Sequence, residues 1–182
     1  MSARLDDLTA IESAIWHELH QAVHQRGHAW RVGVLATRDG DEADARSVVL
    51  REIDARTRAL LIYTDARSAK VAQIAAHPQG MLVLYSDELG WQLRLKVALE
   101  VATSGLAVSS RWAQIKLTPA AHDYLSPLPP GSKLTKPRPE RGSRDHFAMV
   151  TATVQSLDWL ELHADGHRRA RFDAQGPHWL AP

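Results

Sequence analysis

Three apolar segments joined by short polar turns, between residues 30 and 64, constrain the fold more than any other feature of the sequence. The segments are WRVGVLAT, ARSVVLREI and ALLIYTD, which predict strands at 30–37, 45–53 and 59–64. The turns that join them are RDGDE and DARTR, and connections this short favour hairpins. This part of the chain therefore predicts an antiparallel sheet.

The rest of the chain adds strands and a few short helices. A helix is predicted within residues 1–28, with Thr9 and Glu12 as a capping box and Gly27 as its end. Further helices are predicted at 68–77, 106–116 and 119–125, and further strands at 81–86, 91–103, 147–162 and 167–173, followed by the segment HWLAP. Seven or eight strands in 182 residues predict a single α+β domain, 1–182, that is mainly β and barrel-like.

The composition excludes several kinds of site. The formal net charge is +1, so the chain carries no overall positive field for nucleic acid, and any anion must be bound locally. There is no cysteine, which rules out disulfides, iron–sulfur clusters and cysteine nucleophiles. No segment resembles a signal peptide or a membrane span, so we expect a cytoplasmic protein with no membrane and no nucleic-acid partner.

The stretch IYTDARSAK, residues 62–70, places two cations and a hydroxyl at the start of a predicted helix. A helix N-terminus presents unpaired N–H groups and a partial positive charge, so it binds anions and disfavours cations. Arg67, Ser68 and Lys70 would together make a phosphate-binding site. In the other interpretation, Ser68 only caps the helix and both cations face water. The residues alone leave both interpretations open.

Arg46 lies in the segment ARSVVLR, where alternation places it on the same face as Val48 and Leu50. An arginine among core-facing residues usually has an anionic partner. Two interpretations are open: Arg46 reaches the same phosphate across the neighbouring strand, or it is an edge residue whose side chain extends to solvent.

Two further regions carry weaker patterns. Four histidines recur at near-helical spacing in the first helix: His17, His20, His24 and His28. Nothing completes a metal-binding set around them, so we predict a solvated polar face and no metal site. The proline-rich and basic segment 126–144 is too long for a simple connection, so it is either a functional lid or a disordered loop.

Six motifs, in the same order along the chain, resemble those of the pyridoxamine 5'-phosphate oxidase-like, FMN-binding split-barrel family. They are RSVVLR, YTDARSAK, HP, WQLR, the C-terminal hairpin with a tryptophan and RRARFD, and the closing W-LAP. The resemblance extends from about residue 32 to residue 182. It implies a six-stranded antiparallel split β-barrel with flanking helices, and a homodimer with FMN bound at the subunit interface.

The resemblance also implies which residues contact FMN. The matching residues are Arg46, Val48, Val49, Leu50, Tyr63, Thr64, Arg67, Ser68, Lys70, Gln92, Ser132, Trp159 and Arg171. The backbone of Val48–Leu50 would lie along the flavin ring, whereas Ser68 and Lys70 would hold the phosphate. The family has an arginine where this chain has Ala69, and Arg67 is the candidate to replace it.

The substrate side departs from the family pattern. The lysine that helps to hold the substrate phosphate is replaced by Arg51, and the arginine and histidine of the C-terminal motif are replaced by His167 and Arg169. These three residues are the substrate-facing candidates, and no catalytic residue is assigned. We therefore predict an FMN-dependent oxidoreductase that acts on a small molecule other than pyridoxamine 5'-phosphate.

Three alternatives to this prediction remain. The chain could be a non-catalytic flavin-binding or electron-carrier protein, for which the substrate site has no role. The same barrel could bind heme or a deazaflavin instead of FMN. Finally, the barrel could bind no cofactor.

Overall fold

Most of the chain forms antiparallel strands, in the order that the sequence predicts. The computed structural model describes residues 4–137, 141–143 and 145–182. The strands are β1 Val32–Asp39, β2 Glu42–Asp54, β3 Ala59–Asp65, β4 Gln79–Ser86, β5 Trp91–Ala102, β6 Phe147–Glu161, β7 Arg168–Asp173 and β8 Gly176–Leu180. The helices are α1 Leu8–His24, α2 Ala69–Ala76 and α3 Leu106–Ile115, with 3₁₀ turns at Ala29–Arg31 and Pro119–Tyr124.

Six of the strands close into a barrel. The sheet order is β3-β2-β1-β4-β5-β6-β7-β8, and an additional β3–β6 pairing joins the first strand of this order to the sixth. The length of β6 allows this closure, because its residues 147–153 pair with β3 while its residues 157–161 pair with β7. The predicted six-stranded antiparallel barrel is confirmed, and β7 and β8 extend its sheet.

Alternation along the strands fills the barrel with apolar side chains. Leu35, Leu50 and Leu95 in its interior are fully buried, and each such side chain stabilises the fold by about 1.5–3 kcal/mol. Helix α1 packs on β2. It does so through buried residues at helical spacing, namely Ile11, Ile15, Leu19 and Ala22.

The first helix begins and ends at residues other than those predicted. Asp7 is its N-cap, and the Asp7 carboxylate accepts a hydrogen bond of 2.7 Å from the backbone N–H three residues later. The predicted capping box of Thr9 and Glu12 is therefore wrong, because both residues already lie inside the helix. The helix ends at His24 and not at Gly27.

The outer surface of the sheet is covered in one place and bare in another. Helix α3 and the 3₁₀ turn Pro119–Tyr124 cover part of β3 and β6 with a small apolar cluster of Val108, Tyr124, Phe147 and Met149. On β1 and β4, by contrast, Val32, Val34 and Tyr85 are 44–50% exposed. None of the described helices has the length and apolarity needed to cross a membrane.

Candidate functional site

The end of β3 and the start of α2 bring Thr64, Ser68 and Lys70 together. Lys70 Nζ donates hydrogen bonds of 3.0 Å to Thr64 Oγ1 and 3.3 Å to Ser68 Oγ, and the two hydroxyl oxygens lie 3.1 Å apart. Thr64 and Ser68 are each 5% exposed, and Lys70 is half-buried. We call these three residues the cradle.

Lys70 is a cation whose contacts are neutral. Within the described residues it forms no ion pair, and its ammonium contacts the two cradle hydroxyls. Burial, followed by the positive charge of Arg46, lowers the pKa of Lys70 below its usual value. An anion at the cradle would relieve both effects, because it would stabilise the charged amine.

The interpretation in which Ser68 only caps the helix and both cations face water is wrong. Ser68 is the N-cap residue of α2, but its hydroxyl makes no capping hydrogen bond. That hydroxyl contacts Thr64 and Lys70 instead. The N-terminal end of α2 therefore keeps its anion-binding character beside the cradle.

Arg46 is held by a polar network inside the end of the barrel. Its Nη1 donates to the carbonyl oxygen of Leu35 at 3.2 Å and to Thr37 Oγ1 at 2.5 Å. Its Nη2 donates to Asp44 Oδ2 at 2.5 Å and to Gln73 Oε1 at 2.8 Å. Because this side chain is only 19% exposed, the interpretation of Arg46 as a solvent-facing edge residue is wrong. Its anionic partner within the chain is Asp44, so its charge is partly compensated.

Arg67 binds a carboxylate and a loop. Its Nε and Nη2 donate to the two oxygens of Asp65 at 3.0 and 2.7 Å, and its guanidinium also donates to the carbonyl oxygens of residues 126–128. The Asp65 side chain is 3% exposed. Burial alone would raise the pKa of Asp65, but the hydrogen bonds from Arg67 lower it below its usual value. Arg67 is thus the counter-ion of a buried carboxylate, and its hydrogen bonds do not include the cradle.

The barrel is split beside the cradle. Strand β2 pairs with β1 over residues 42–49 but with β3 only over residues 50–54. Beyond this point β3 continues along β6, so this edge of β2, over residues 42–49, has no strand partner in the described part of the chain. The predicted backbone contacts of Val48, Val49 and Leu50 with a flavin lie at the start of this free edge, and they stay a prediction.

Tyr63 and Thr64 extend from opposite faces of β3. Tyr63 lies under α3, where its hydroxyl donates a hydrogen bond of 2.6 Å to Glu52 Oε1. Arg111 donates from Nε and Nη2 to the two oxygens of Glu52, each at 2.7 Å. The hydrogen bonds from Arg111 lower the pKa of Glu52, whereas burial, and then Glu52, raise the pKa of Tyr63. We call Glu52, Tyr63 and Arg111 the Glu52 cluster.

Gln92, Arg169 and Arg171 lie on the outer face of the sheet formed by β5, β6 and β7. Arg169 donates from Nε and Nη2 to the two oxygens of Asp158, at 3.0 and 2.8 Å. The Nε of Arg171 lies 3.2 Å from Asp173 Oδ2, but without the alignment of a hydrogen bond. A groove of about 190 Å³ runs past both arginines.

Two predicted contacts lie away from these groups. Trp159 is fully buried on the inner face of β6, and its ring centroid is 5.5 Å from that of Trp91. It therefore shares no face with Gln92 and Arg171, and its predicted flavin contact stays a prediction. Ser132 is exposed in the described part of the loop 126–144 and donates to the carbonyl oxygen of residue 129.

The described part of that loop, together with Asp65 and Asp123, lines a cavity of about 620 Å³. The start of the loop contacts Arg67, which donates to the carbonyl oxygens of residues 126–128. Residues 138–140 and 144 of the predicted lid or disordered loop lie outside the described residues.

The three substrate-facing candidates do not meet within one chain. Arg51 lies on β2 with its guanidinium carbon 5.7 Å from the ring centre of Tyr63. His167 is exposed in the β6–β7 turn, where its Nδ1 accepts a hydrogen bond from the backbone N–H of His163. No described hydrogen bond or ion pair joins Arg51 to His167 or to Arg169.

Sequence reasoning missed two residues of the Glu52 cluster, Glu52 and Arg111. Alternation from Leu50 places Glu52 on the inner face of β2, so only a β-bulge could have indicated its true position. The arginine of α3 carries no signal of its own, because a surface helix normally contains charged residues.

Comparison with known proteins gives one family model and several relatives. The model described as "Pyridoxamine 5'-phosphate oxidase, FMN-binding domain" matches residues 13–103. A pyridoxine/pyridoxamine 5'-phosphate oxidase of Granulibacter bethesdensis is 31% identical, over 74% of this chain and 71% of its own length. The corresponding oxidase of Caulobacter vibrioides is 28% identical, over 80% of this chain and 71% of its own length.

Solved structures share the fold at low sequence identity. PhzG from Burkholderia lata, in complex with tetrahydrophenazine-1-carboxylic acid, has a TM-score of 0.76 at 16% identity and covers 100% of this chain and 99% of its own. A pyridoxamine 5'-phosphate oxidase-related, FMN-binding protein from Nostoc punctiforme has a TM-score of 0.72 at 23% identity, covering 93% and 96%. A heme-binding protein from Mycobacterium smegmatis is more distant, with a TM-score of 0.52 at 16% identity, covering 85% and 57%.

Proposed function

The chain belongs to the FMN-binding pyridoxamine 5'-phosphate oxidase family, and from that premise we propose that it is an FMN-dependent oxidoreductase acting on a small molecule. The observation that carries this proposal is the half-buried ammonium of Lys70, which contacts only two hydroxyl groups among the described residues. A buried cation without a carboxylate partner is costly unless a ligand supplies the negative charge.

The cradle fits the phosphate of FMN. Lys70 supplies a charged donor, Thr64 and Ser68 supply hydroxyl donors, and the N-terminal end of α2 adds its backbone dipole. Arg46 adds positive charge nearby, since its proximity contributes to the lowered pKa of Lys70. FMN would supply the electron-accepting ring, while these side chains would bind and orient it.

We assign the phosphate to Lys70 and not to Arg67. Both oxygens of Asp65 already engage Arg67, and freeing it would leave a buried carboxylate unpaired. Lys70 can bind the phosphate without breaking an ion pair, because it has none among the described residues. In this proposal, Arg67 does not take the place of the arginine that the family has at position 69. The cradle therefore binds the phosphate with one cation fewer than the family pattern provides.

We further propose a homodimer with FMN at the subunit interface. Gln92 and Arg171, two predicted ring contacts, lie on the outer face of the sheet, and no described contact joins them to the cradle of the same chain. The outer face of β1 and β4 also leaves Val34 and Tyr85 half-exposed, and a second copy would bury such a face. In the dimer, one subunit would supply the cradle and the other Gln92 and Arg171.

The substitution Val34→Asp tests this assembly. We expect it to convert a dimer into monomers in light scattering and to weaken FMN binding, because a charge would be buried in the interface. The matched control is Leu117→Asp, at an 87% exposed position on the C-terminal side of α3. A monomeric wild-type protein that binds FMN fully would contradict the shared site.

The substrate remains a small molecule of unassigned identity in this proposal, with Arg51, His167 and Arg169 as the facing residues. Arg169 is already paired with Asp158, which favours a positioning role over direct binding. We expect little or no oxidation of pyridoxamine 5'-phosphate. The cytoplasmic location stays a prediction.

Purification gives the decisive test of the cofactor. We expect yellow protein that releases FMN on denaturation and whose flavin is reduced by a small-molecule substrate. Failure of the apoprotein to bind added FMN would contradict the proposal. Stoichiometric binding of heme instead would favour the alternative of a heme-binding barrel, a fold that the heme-binding protein of Mycobacterium smegmatis shares. The cradle itself contains no histidine that could ligate heme iron. Bound flavin that no substrate reduces would indicate an electron carrier.

A further inference from the structure

We propose that Glu52 is a built-in counter-ion that sets the substrate class, so that the site beneath α3 accepts a ligand with a single carboxylate and discriminates against a phosphate dianion. The inference rests on the proposed function, because it concerns the substrate of the same oxidoreductase. It assigns to Glu52 a role in specificity.

A β-bulge positions Glu52. Leu50 pairs with Ile62 and Glu52 pairs with Leu61, so Arg51 is an extra residue in β2. Leu50 is fully buried and Ile53 packs against the core, which puts both on the inner face. Arg51 and Glu52 therefore lie side by side on the outer face, although alternation would separate them. Bulges that re-aim a side chain are over-represented next to active sites.

The contacts of Glu52 use both of its oxygens. Arg111 binds them in a bidentate pair at 2.7 Å, and the Tyr63 hydroxyl donates to one of them at 2.6 Å. The hydrogen bonds from Arg111 keep the carboxylate ionised at neutral pH by lowering its pKa, and Tyr63 keeps its proton. Arg111 is consequently neutralised inside the protein before any ligand arrives.

Arg51 is the cation that remains available. Its guanidinium carbon lies 5.7 Å from the ring centre of Tyr63, and its Nε is shielded from solvent without a hydrogen-bond partner. Within the described residues, Arg51 has no ion pair with a carboxylate. A buried donor without a partner calls for an acceptor that the described residues do not supply.

The charges then decide between ligands. Arg51, Arg111 and Glu52 together carry a net charge of +1, and the Glu52 side chain is 40% exposed beside them. A monoanionic carboxylate pairs with Arg51 at the cost of one repulsion. A phosphate dianion is attracted twice as strongly by the arginines and repelled twice as strongly by Glu52, but the net charge of +1 compensates only one of its two charges. The second charge stays uncompensated, and taking a dianion out of water costs more than taking a monoanion out of water. The bidentate geometry also prevents Arg111 from turning to the ligand without leaving Glu52 unpaired.

The Glu52 cluster and the cradle share the strand β3. Tyr63 of the Glu52 cluster and Thr64 of the cradle are neighbours in β3, with side chains on opposite faces of the strand. A ligand bound by Arg51 would thus lie across one strand from the phosphate site.

The test compares two ligands with the same pyridine ring, 4-pyridoxate with one carboxylate and pyridoxine 5'-phosphate with a phosphate. On FMN-loaded protein, we expect wild type to bind 4-pyridoxate more tightly. Glu52→Gln should tighten pyridoxine 5'-phosphate binding by about tenfold or more, because Arg111 is freed and a repulsion is removed. The matched control is Glu12→Gln, which removes the charge of the Glu12–Arg58 ion pair on α1.

A second variant, Arg111→Gln, tests the same inference if Glu52→Gln folds poorly. Arg111→Gln leaves Glu52 without its counter-ion, so we expect both ligands to bind more weakly and the phosphate to lose more. An unchanged ratio of the two affinities in Glu52→Gln or in Arg111→Gln would overturn the inference and leave Glu52 as a clamp between α3 and β2. That result would leave the proposed function unaffected. The proposed function is contradicted by a different result, namely that the wild-type protein binds no FMN.

Discussion

Two groups of polar side chains lie on the two faces of β3 near its end, and each contains one cation whose charge is compensated in a different way. On the inner face, the cradle contains Lys70, whose ammonium contacts only hydroxyl groups among the residues that the structure describes. On the outer face, the Glu52 cluster contains Arg111, whose charge is met by both oxygens of a carboxylate. The two groups are connected through the adjacent residues Tyr63 and Thr64.

The difference separates cations that await an anion from cations that already have one. Arg67 shows that distance along the chain does not decide this, because it lies three residues before Lys70 and still serves Asp65. We therefore interpret a half-buried cation without a carboxylate as a ligand site, and a paired one as a structural or charge-setting group.

The largest effect is expected for Lys70→Ala. Charged hydrogen bonds are worth about 1.5–3 kcal/mol, so loss of the ammonium should weaken FMN binding by about 10- to 150-fold. Titration of the apoprotein with FMN, followed by fluorescence, measures this. Lys116→Ala removes an exposed lysine of the same charge and should leave the affinity unchanged. Equal affinities of Lys70→Ala and wild type would end the distinction between the two faces.

Arg67→Ala should lower the free energy of unfolding more than it lowers the affinity for FMN. It leaves the buried carboxylate of Asp65 unpaired, and a buried group without its partner costs roughly 1–3 kcal/mol. Urea denaturation should show a lower free energy of unfolding, while the FMN affinity should change by less than about threefold. The control is Arg56→Ala, at a position that is 86% exposed. A loss of FMN affinity as large as that of Lys70→Ala would show that Arg67 does contribute to binding the phosphate.

The pH dependence of stability sharpens the same point. The folded protein holds the pKa of Asp65 below the ordinary value of 3.8. The stability from this pair is therefore fully present above pH 3.8 and is lost as pH falls through the lower folded-state pKa. Arg67→Ala should flatten this acid limb in denaturation curves. An unchanged acid limb would show that the pair does not cause it.

The smallest effect is expected for Ser68→Ala. One hydroxyl hydrogen bond contributes about 1 kcal/mol, so FMN binding should weaken by about fivefold. Helix α2 should keep its stability, because the Ser68 hydroxyl makes no capping bond. Ser109→Ala in α3 is the matched control, since its hydroxyl bonds only to the backbone. A clear loss of thermal stability without loss of affinity would identify Ser68 as a cap after all.

Local patterns predicted the strands well and the helix ends less well. Alternating apolar residues follow directly from burial on one face of a strand, so β1 to β6 lie close to their predicted positions. Helix ends depend on single hydrogen bonds, and the N-cap of α1 is Asp7, two residues before the predicted Thr9. The family resemblance implied that six strands close into a barrel, and in the structure the pairing of β3 with β6 closes it.

By itself, the sequence determined the antiparallel strands, the family and the gathering of Ser68 and Lys70 at the start of a helix, because these depend on residues close together in the chain. Only the tertiary structure decided which cations lack a carboxylate partner among the described residues. Asp65 pairs with Arg67, a bulge turns Glu52 toward Arg111 across 59 residues, and Trp159 enters the core. The Glu52–Arg111 pair and the burial of Trp159 arise where distant segments meet. Asp65 and Arg67 are close in the chain, and there the fold adds the burial that makes a charge partner necessary.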